Sequence, residues 1–162
     1  MATIDPTTLP YRPCAGIVLI NSEGLIWSGR RLDTETRAPK AWQMPQGGID
    51  KGEDPQAAAF REMEEEIGTA RASLIKAAQD WLNYDLPSDL LGRAWKGKYR
   101  GQKMMWFALR FEGSDEDVNI ETDDPEFSEW KWMTSEELLA CTVDFKKEVY
   151  LQVFEEFSDL IR

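Results

Sequence analysis

Histidine is absent from this 162-residue sequence, and cysteine occurs only twice. Without imidazole groups, a metal site in this chain has to rely mainly on oxygen ligands, which argues against zinc. Cys14 and Cys141 are far apart, stand in apolar surroundings and lack the paired spacing of a zinc site or a disulfide framework. We therefore predict that both cysteines are reduced packing residues.

Long apolar runs are also missing, since none reaches the roughly 18 residues needed to span a bilayer. The first residues, MATIDPTTLPYRP, contain neither a basic leader nor an apolar signal core. We expect a soluble, cytoplasmic protein with no membrane partner. Repeats and long linkers are absent as well, and this length with 42% hydrophobic content suits one domain. The predicted organisation is a loose N-terminus over residues 1–10 and a single domain over residues 11–162.

The charge is strongly negative but unevenly distributed. Thirty acidic and 19 basic residues give a formal charge of -11, so we expect no stable binding to DNA. The stretch from Leu90 to Phe111 nevertheless contains six basic residues and no acidic one, whereas Ser114 to Trp130 contains eight acidic residues and no basic one. These stretches are either solvated loops of opposite sign or parts of a site for a charged ligand.

Several segments have the composition of β-strands. The apolar run from Cys14 to Ile20, the turn signal from Asn21 to Gly24 and the run from Leu25 to Arg31 predict a β-hairpin. Further strands are predicted near Trp42–Met44, Leu74–Tyr84, Gln102–Phe111 and Phe127–Met133, and a proline-containing loop at Arg37–Lys40. Strands and helices in this mixed order indicate an α/β fold with helices packed on the faces of a sheet.

Two helices are predicted from their end signals and periodicity. The first follows Asp54 as N-cap, has Pro55 at its first position and stops at Gly68. The second covers Asp144 to Ile161. Its apolar stripe is formed by Val149, Val153, Phe157 and Leu160.

The first helix carries an unusual group of acidic residues. On a helical wheel, its core-facing arc consists of Ala59, Phe60, Met63 and Ile67. Glu62, Glu65 and Glu66 occupy the next arc, where they repel one another and the negative end of the helix dipole. A divalent cation would convert this repulsion into coordination, and oxygen ligands favour Mg²⁺, or Mn²⁺, over zinc. The alternative is an ordinary solvated acidic face, which Glu64 fits well.

These residues form part of a longer pattern that resembles the Nudix box, G-x5-E-x7-R-E-U-x-E-E-x-G-U, in which U is aliphatic. All seven fixed positions agree: Gly47, Glu53, Arg61, Glu62, Glu65, Glu66 and Gly68. Only the last position departs, because Thr69 stands where an aliphatic residue is usual, and this change concerns packing more than the metal site.

The resemblance extends from Tyr11 to about Phe157. The matching segments are Tyr11–Pro13, Trp42–Gly48, Gly101–Lys103, Trp106–Phe107, Pro125–Phe127, Trp130–Trp132 and Phe145–Lys147. They are similar to the branch of Nudix hydrolases that contains RNA pyrophosphohydrolases and diadenosine polyphosphate hydrolases. The resemblance implies a mixed α/β/α sandwich in which the box forms a loop-helix-loop. It also implies that Glu62, Glu65 and Glu66 bind metal and that Glu126 joins them from across the cleft.

Further roles follow from the resemblance. Glu53 and Arg61 are expected to form a salt bridge behind the metal, and either Glu66 or Glu126 to act as general base. The expected substrate-binding residues are Arg12, Arg31, Lys146 and Gly47. Three aromatic residues either stack on a base or simply pack in the fold: Tyr84, Trp95 and Tyr99.

The predicted activity is Mg²⁺-dependent hydrolysis of phosphoanhydride bonds in nucleotide-like polyphosphates. The expected substrates are 5′-triphosphate RNA ends, dinucleoside polyphosphates, or both. The alternatives are a non-catalytic nucleotide-binding module of the same fold and an enzyme for another diphosphate such as a sugar nucleotide. We expect a monomer, because the sequence shows no strong apolar patch.

Overall fold

The computed structural model describes residues 5–32 and 41–162, and a mixed eight-stranded sheet runs through it. The strands are β1 (Tyr11–Ile20), β2 (Ile26–Arg31), β3 (Trp42–Gln43), β4 (Gln46–Gly48), β5 (Ala72–Ala77), β6 (Leu82–Asp85), β7 (Gly101–Phe111) and β8 (Phe127–Met133). The helices are α1 (Pro55–Ile67), α2 (Ser135–Ala140) and α3 (Asp144–Glu156), with short 3-10 turns at Pro6–Thr8, Ala94–Gly97 and Asp115–Asp117. The predicted loop at Arg37–Lys40 lies outside the described residues.

The centre of the sheet is a long parallel pair. β1 and β7 run side by side from the pair Tyr11 and Gly101 to the pair Ile20 and Arg110. The order is β3-β2-β1-β7-β5, with β4 paired to β1, β6 to β7 and β8 to β2. The predicted hairpin is confirmed, since β1 and β2 pair antiparallel at Ile20 and Ile26.

Both faces of the sheet are covered, as the run of buried residues along β1 requires. On one face, Cys14 and Val18 pack in a cluster with residues of α2 and α3. On the other face, Ile17 and Leu19 pack against the apolar side of α1, where Met63 is fully buried. The chain therefore has the predicted helix-sheet-helix layers, and α1 has one side free to carry the acidic residues of the site.

The boundaries of α1 follow the predicted signals. The Asp54 carboxylate accepts the N–H of Ala57 at 3.1 Å, and Pro55 is the first helical residue. At the other end, Gly68 has φ 78°, and its N–H donates to the Glu64 carbonyl at 3.0 Å. A left-handed residue of this kind terminates a helix, and glycine adopts it without steric cost.

The last helix is shorter than predicted, since it ends at Glu156 and leaves Leu160 outside it. Hydrogen bonds from distant parts of the chain explain the difference. The Arg162 N–H donates to the Gly24 carbonyl at 2.9 Å, and the Ser135 N–H donates to the Arg162 carbonyl at 3.0 Å. The C-terminal residues therefore leave the helix to join the turn after β1 and the start of α2.

Two further elements differ from the sequence predictions. The single strand expected near Leu74–Tyr84 is two strands, β5 and β6, that both pair with β7. Between them, the Gln79 N–H donates to the Glu156 carboxylate at 3.0 Å. Helix α2 was not predicted, although Thr134 and Glu137 form a capping box that is readable in the sequence.

Both cysteines are free, and Cys14 is buried. In the described ranges, no helix is long and apolar enough to cross a membrane. The single domain over residues 11–162 and the loose residues 1–10 stay predictions.

Candidate active site

The approach of β4 to α1 places the box residues together. Gly47 pairs with Ala15 of β1, and its backbone lies directly against the Glu62 side chain. A Cβ atom added at Gly47 would overlap the Glu62 carboxyl group. Any other residue at this position would displace the Glu62 carboxyl group, so glycine allows this carboxylate to lie against β4.

Arg61 joins the loop before α1 to the acidic face of that helix. Its guanidinium contacts Glu53 through Nε and Nη2, both at 2.8 Å, and Nη2 also donates to the Gly48 carbonyl at 2.8 Å. Nη1 contacts Glu62 at 2.8 Å and Glu65 at 3.2 Å. The predicted salt bridge between Glu53 and Arg61 is present, and it is bidentate, which fixes the planar group in orientation as well as position.

This salt bridge lowers the pKa of Glu53 from 4.5 to about 2, chiefly through the hydrogen bonds from Arg61 and then through the N–H of Asp50. A depressed carboxyl pKa stabilises the folded state above the unfolded value, and this stabilisation is lost as the pH falls from about 4.5 towards 2. Glu53→Gln should therefore reduce the free energy of unfolding at pH 6, and the deficit should shrink between pH 4.5 and pH 3. Denaturant titrations at these pH values measure it.

A matched control for that prediction is Glu148→Gln, which removes one exposed glutamate from α3. It should follow the wild type at each pH. A deficit of Glu53→Gln that is the same at pH 6 and pH 3 would contradict the pKa argument.

Glu66 occupies an unusual environment for a carboxyl group. The residue is only 6% exposed, and its carboxylate accepts the N–H of Gln46 at 3.1 Å. Burial raises its pKa well above the usual value, and the nearby carboxylates of Glu62 and Glu126 add to this effect. Burial likewise raises the pKa of Glu62. A buried carboxylate flanked by others is stabilised when a cation lies among them.

Two cavities meet at this group of glutamates. The acidic cavity has a volume of about 520 Å³ and is lined by Glu62, Glu64, Glu65, Glu66, Thr122, Asp123, Asp124 and Glu126. The mixed cavity has a volume of about 560 Å³ and is lined by Arg12, Arg31, Gln43, Gln46, Gly47, Glu62, Glu66, Tyr84, Leu86, Leu90, Ala94, Trp95, Gln102, Glu126, Phe145 and Lys146. Glu62, Glu66 and Glu126 line both cavities, so they separate an acidic compartment from one that contains cations.

Pairing in the sheet brings Glu126 into this position. It directly precedes β8, which pairs with β2, and its carbonyl accepts the N–H of Leu32 at 2.9 Å. Eight acidic residues occur between Ser114 and Trp130, and three of them line the acidic cavity. Glu64, which the helical wheel separates from its neighbours, also lines this cavity, but it is exposed to solvent, and its assignment to a solvated acidic face stays a prediction.

The chemistry of these residues fits a hard divalent cation. All the ionisable groups that line the acidic cavity are carboxylates, and the absence of a side chain at Gly47 makes room for the carboxyl group of Glu62. Among residues 5–32 and 41–162, no three acidic or cysteine side chains are already gathered as a complete metal site. Glu62 and Glu65 instead contact Arg61. The predicted metal ligands Glu62, Glu65, Glu66 and Glu126 therefore lie near one another, and their role in binding metal stays a prediction.

The predicted substrate-binding residues all line the mixed cavity. Arg12, Arg31 and Lys146 come from β1, β2 and α3, and Gly47 comes from β4. Lys146 is 5% exposed, and its Nζ donates to Gln43 at 3.0 Å. Glu53 and Arg61, in contrast, are not among the residues that line these two cavities. Arg61 contacts Glu62 and Glu65, and the predicted positioning role of Glu53 and Arg61 stays a prediction.

A group of glutamines in the mixed cavity was not predicted from the sequence. The side-chain amide of Gln46 donates a hydrogen bond to Gln102 at 2.9 Å, and the Tyr84 hydroxyl donates to the same oxygen. The amide nitrogen of Gln102 donates to the Cys14 sulfur at 3.2 Å. A signal was available, because two glutamines in the short apolar segment from Trp42 to Gly48 are unusual for packing alone. Tyr84 is buried in this network, which accounts for its presence without base stacking.

Sequence comparison gives strong matches over nearly the whole chain. A family model described as NUDIX domain matches residues 10–153. The chain is 56% identical over 157 residues to a protein of Cereibacter sphaeroides (strain KD131 / KCTC 12085) named RNA pyrophosphohydrolase, covering 96% of this chain and 95% of that protein. Proteins of the same name from Rhodospirillum rubrum and Brucella abortus (strain 2308) are 53% and 49% identical, covering 93% and 98% of this chain and 88% and 94% of theirs.

Solved structures with the same fold are more distant in sequence. A Caenorhabditis elegans Ap4A hydrolase in a binary complex matches with a TM-score of 0.62 at 18% identity, covering 90% of this chain and 98% of that chain. The Escherichia coli dihydroneopterin triphosphate pyrophosphohydrolase matches with a TM-score of 0.66 at 21% identity, covering 91% and 99%. At these identities the likeness bears on the fold alone, and it confirms the predicted Nudix-type α/β/α sandwich.

Proposed function

Because this chain belongs to the NUDIX domain family, we propose that it is a Mg²⁺-dependent hydrolase that cleaves phosphoanhydride bonds at 5′-triphosphate RNA ends. The observation that carries the proposal is the wall of glutamates between two cavities, one acidic and one containing arginine and lysine. A polyphosphate requires both features, since cations must hold its oxygens while a metal site adjoins the bond that breaks.

The proposed division of roles follows the lining of the cavities. Glu62, Glu65, Glu66 and Glu126 would hold Mg²⁺, and the same oxygen ligands would accept Mn²⁺. When bound, such ions neutralise charge on phosphate oxygens and activate water. Glu53 and Arg61 would keep the loop before α1 and the acidic face of the helix in register.

On the other side of the wall, Arg12, Arg31 and Lys146 would bind phosphate oxygens. The two guanidinium groups can each form paired hydrogen bonds to a phosphate, whereas the ammonium group acts as a point charge. Gly47 leaves its backbone accessible on the same side. Together these groups would hold the polyphosphate chain beside the carboxylates.

The proposed general base is either Glu66 or Glu126, because both carboxylates line both cavities, whereas Glu62, which also lines both, is paired with Arg61 at 2.8 Å. Comparing the pH dependence of kcat in Glu66→Gln and Glu126→Gln distinguishes them. In the wild type, kcat should fall at low pH as the general base is protonated. The substitution that removes this fall identifies the base.

The RNA end is the favoured substrate because three relatives of 49 to 56% identity are named RNA pyrophosphohydrolase. Dinucleoside polyphosphates share the phosphate chemistry and remain the second proposed substrate.

The test is a panel of a 5′-triphosphorylated oligonucleotide, diadenosine tetraphosphate and a sugar nucleotide in one Mg²⁺ buffer. Release of pyrophosphate or orthophosphate from the oligonucleotide at the lowest enzyme concentration supports the proposal. No release from any member supports a non-catalytic nucleotide-binding module, and preference for the sugar nucleotide supports another diphosphatase.

Replacing Lys146 tests its role in phosphate binding, and the adjacent Lys147 is the control. Lys146→Met keeps the apolar stem and removes the ammonium group, so KM for the triphosphorylated oligonucleotide should rise about 10-fold or more, the usual worth of a hydrogen bond to a charged group. Lys147 follows it on α3 and pairs with Asp144 at 3.4 Å, so Lys147→Met should leave KM near that of the wild type. Equal KM values for Lys146→Met and wild type would remove Lys146 from the phosphate-binding residues.

The location of the protein in the cytoplasm, its monomeric state and the lack of stable DNA binding stay predictions. Gel filtration with light scattering tests the monomer directly.

A further inference from the structure

Trp95 is the one residue at the edge of the mixed cavity, among those described, that combines an aromatic ring with a strained backbone. Trp95 and Lys96 have φ 50° and 60°, in the left-handed region, and they are the only residues other than glycine in residues 5–32 and 41–162 with positive φ. This conformation is unfavourable for a bulky side chain. Two such residues in succession therefore indicate that the surrounding structure enforces the position of this ring.

The contacts around Trp95 explain how that position is maintained. The segment from Leu86 to Arg100 is closed at its base, where the Leu86 N–H donates to the Arg100 carbonyl at 2.8 Å. The Arg100 N–H in turn donates to the Pro10 carbonyl at 3.0 Å, two residues before Arg12. Tyr99 contacts the Trp95 ring edge to face, with centroids 6.1 Å apart. The segment thereby brings the tryptophan to the start of β1.

The Trp95 ring lies under the guanidinium of Arg12, with Cζ 5.5 Å from the ring centroid. The other contacts of this guanidinium constrain it weakly. Nη1 donates to the Cys14 sulfur at 3.4 Å, and a thiol is a poor acceptor. Nη2 lies against Gly48, where an added Cβ would come within 2.6 Å. Glu62 in the same cavity attracts the Arg12 guanidinium by its charge, and the aromatic face adds a contact that leaves the donors free for a phosphate.

We propose that Trp95 is a positioning residue, which holds the Arg12 guanidinium over the mixed cavity so that it binds the phosphate chain of the substrate. This inference rests on the proposed function and adds a residue that lies outside the box. The ring acts on phosphate binding and not on a nucleobase. Its effect should therefore be similar for an RNA end and for a dinucleoside polyphosphate, and it should appear in KM more than in kcat.

The test is a double-mutant cycle with Trp95→Ala, Arg12→Ala and the combined variant, assayed with a 5′-triphosphorylated oligonucleotide and with diadenosine tetraphosphate. Trp95→Ala should raise KM about 3- to 10-fold for both substrates, the range expected from a cation–π contact, with kcat nearly unchanged. Trp95→Phe should restore most of the affinity. The combined variant should match Arg12→Ala within about 2-fold, because the ring acts through that guanidinium.

Trp81→Ala is the matched control. The Lys103 Nζ atom lies 4.8 Å from the centroid of the Trp81 ring, and Trp81 is not among the residues that line either cavity. It should leave KM unchanged, and thermal melts verify that each variant is folded. Unchanged KM in Trp95→Ala would overturn the inference. Effects of Trp95 and Arg12 that multiply, or that differ strongly between the two substrates, would overturn it in favour of direct stacking on a base.

Calorimetric titration of the same variants with inorganic tripolyphosphate and Mg²⁺ repeats the cycle without turnover. A wild type that binds tripolyphosphate but cleaves no nucleotide would refute the proposed function, and the binding cycle would still decide the role of Trp95. A wild type that does not bind tripolyphosphate would refute both.

Discussion

Glu66→Gln should lower turnover of a triphosphorylated oligonucleotide by about 10³-fold, within the range for loss of a catalytic acid–base group. The reason is that Glu66 lines both cavities and is the most buried carboxylate at their junction. Glutamine keeps the size of the side chain and still accepts the N–H of Gln46. It removes the charge, however, and with it one of the carboxylates that would hold a divalent cation.

The same substitution should raise the melting temperature of the metal-free protein by a few degrees. Burial and the neighbouring carboxylates make the charged form of Glu66 unfavourable in the folded state, so a neutral amide relieves that cost. Stabilisation by added Mg²⁺ should be largely lost in the variant. Calorimetric melts in a chelator and in Mg²⁺ measure both effects, with Glu148→Gln as control. Full activity in Glu66→Gln and in Glu65→Gln would show that the chemistry occurs elsewhere.

Arg61→Lys should lower Mg²⁺-dependent activity by about 10- to 100-fold, the usual effect of losing a group that orients metal ligands. Lysine retains the positive charge but cannot contact both oxygens of Glu53 and simultaneously reach Gly48 and Glu62. The loop before α1 then loses its fixed position relative to the acidic face. Steady-state assays over a range of Mg²⁺ concentrations should show that more metal is needed for half-maximal rate.

Arg61→Ala should have the larger effect on stability, because Glu53, Glu62 and Glu65 then face one another without a cation. Its melting temperature in a chelator should fall below that of Arg61→Lys, and Mg²⁺ should recover part of the difference. Arg71→Lys is the control, since Arg71 is mostly exposed and lies 3.9 Å from Asp117. If the lysine and alanine variants at position 61 kept wild-type activity, the proposed positioning role would be incorrect.

The parts of the fold that local signals determine could be predicted from the sequence. Asp54, Pro55 and Gly68 define α1 because capping depends on neighbouring residues alone. The spacing of the glutamates on that helix predicts one acidic face for the same reason. The early end of α3 could not be predicted, because it depends on a hydrogen bond between Arg162 and Gly24 at the other end of the chain.

In the mixed cavity too, some residues could be predicted from the sequence, whereas contacts that depend on distant strands could not. Residues in the motifs, such as Arg12 and Lys146, could be named by resemblance, but the contact of Gln46 with Gln102 depends on the register between β1, β4 and β7. The pairing of Arg61 with Glu62 and Glu65 was also unforeseen. It depends on which partner a flexible side chain selects once the helix is folded, and hydrophobic periodicity does not encode that choice.

A crystal soaked in Mn²⁺ and measured for anomalous scattering tests the central claim most directly. The glutamates at the end of α1 are expected to bind the ion, so a peak should appear between Glu66 and Glu126, with Glu62 or Glu65 turned from Arg61 towards it. An empty acidic cavity, with both of these carboxylates still paired to Arg61 and the ion bound at another place, would contradict the account.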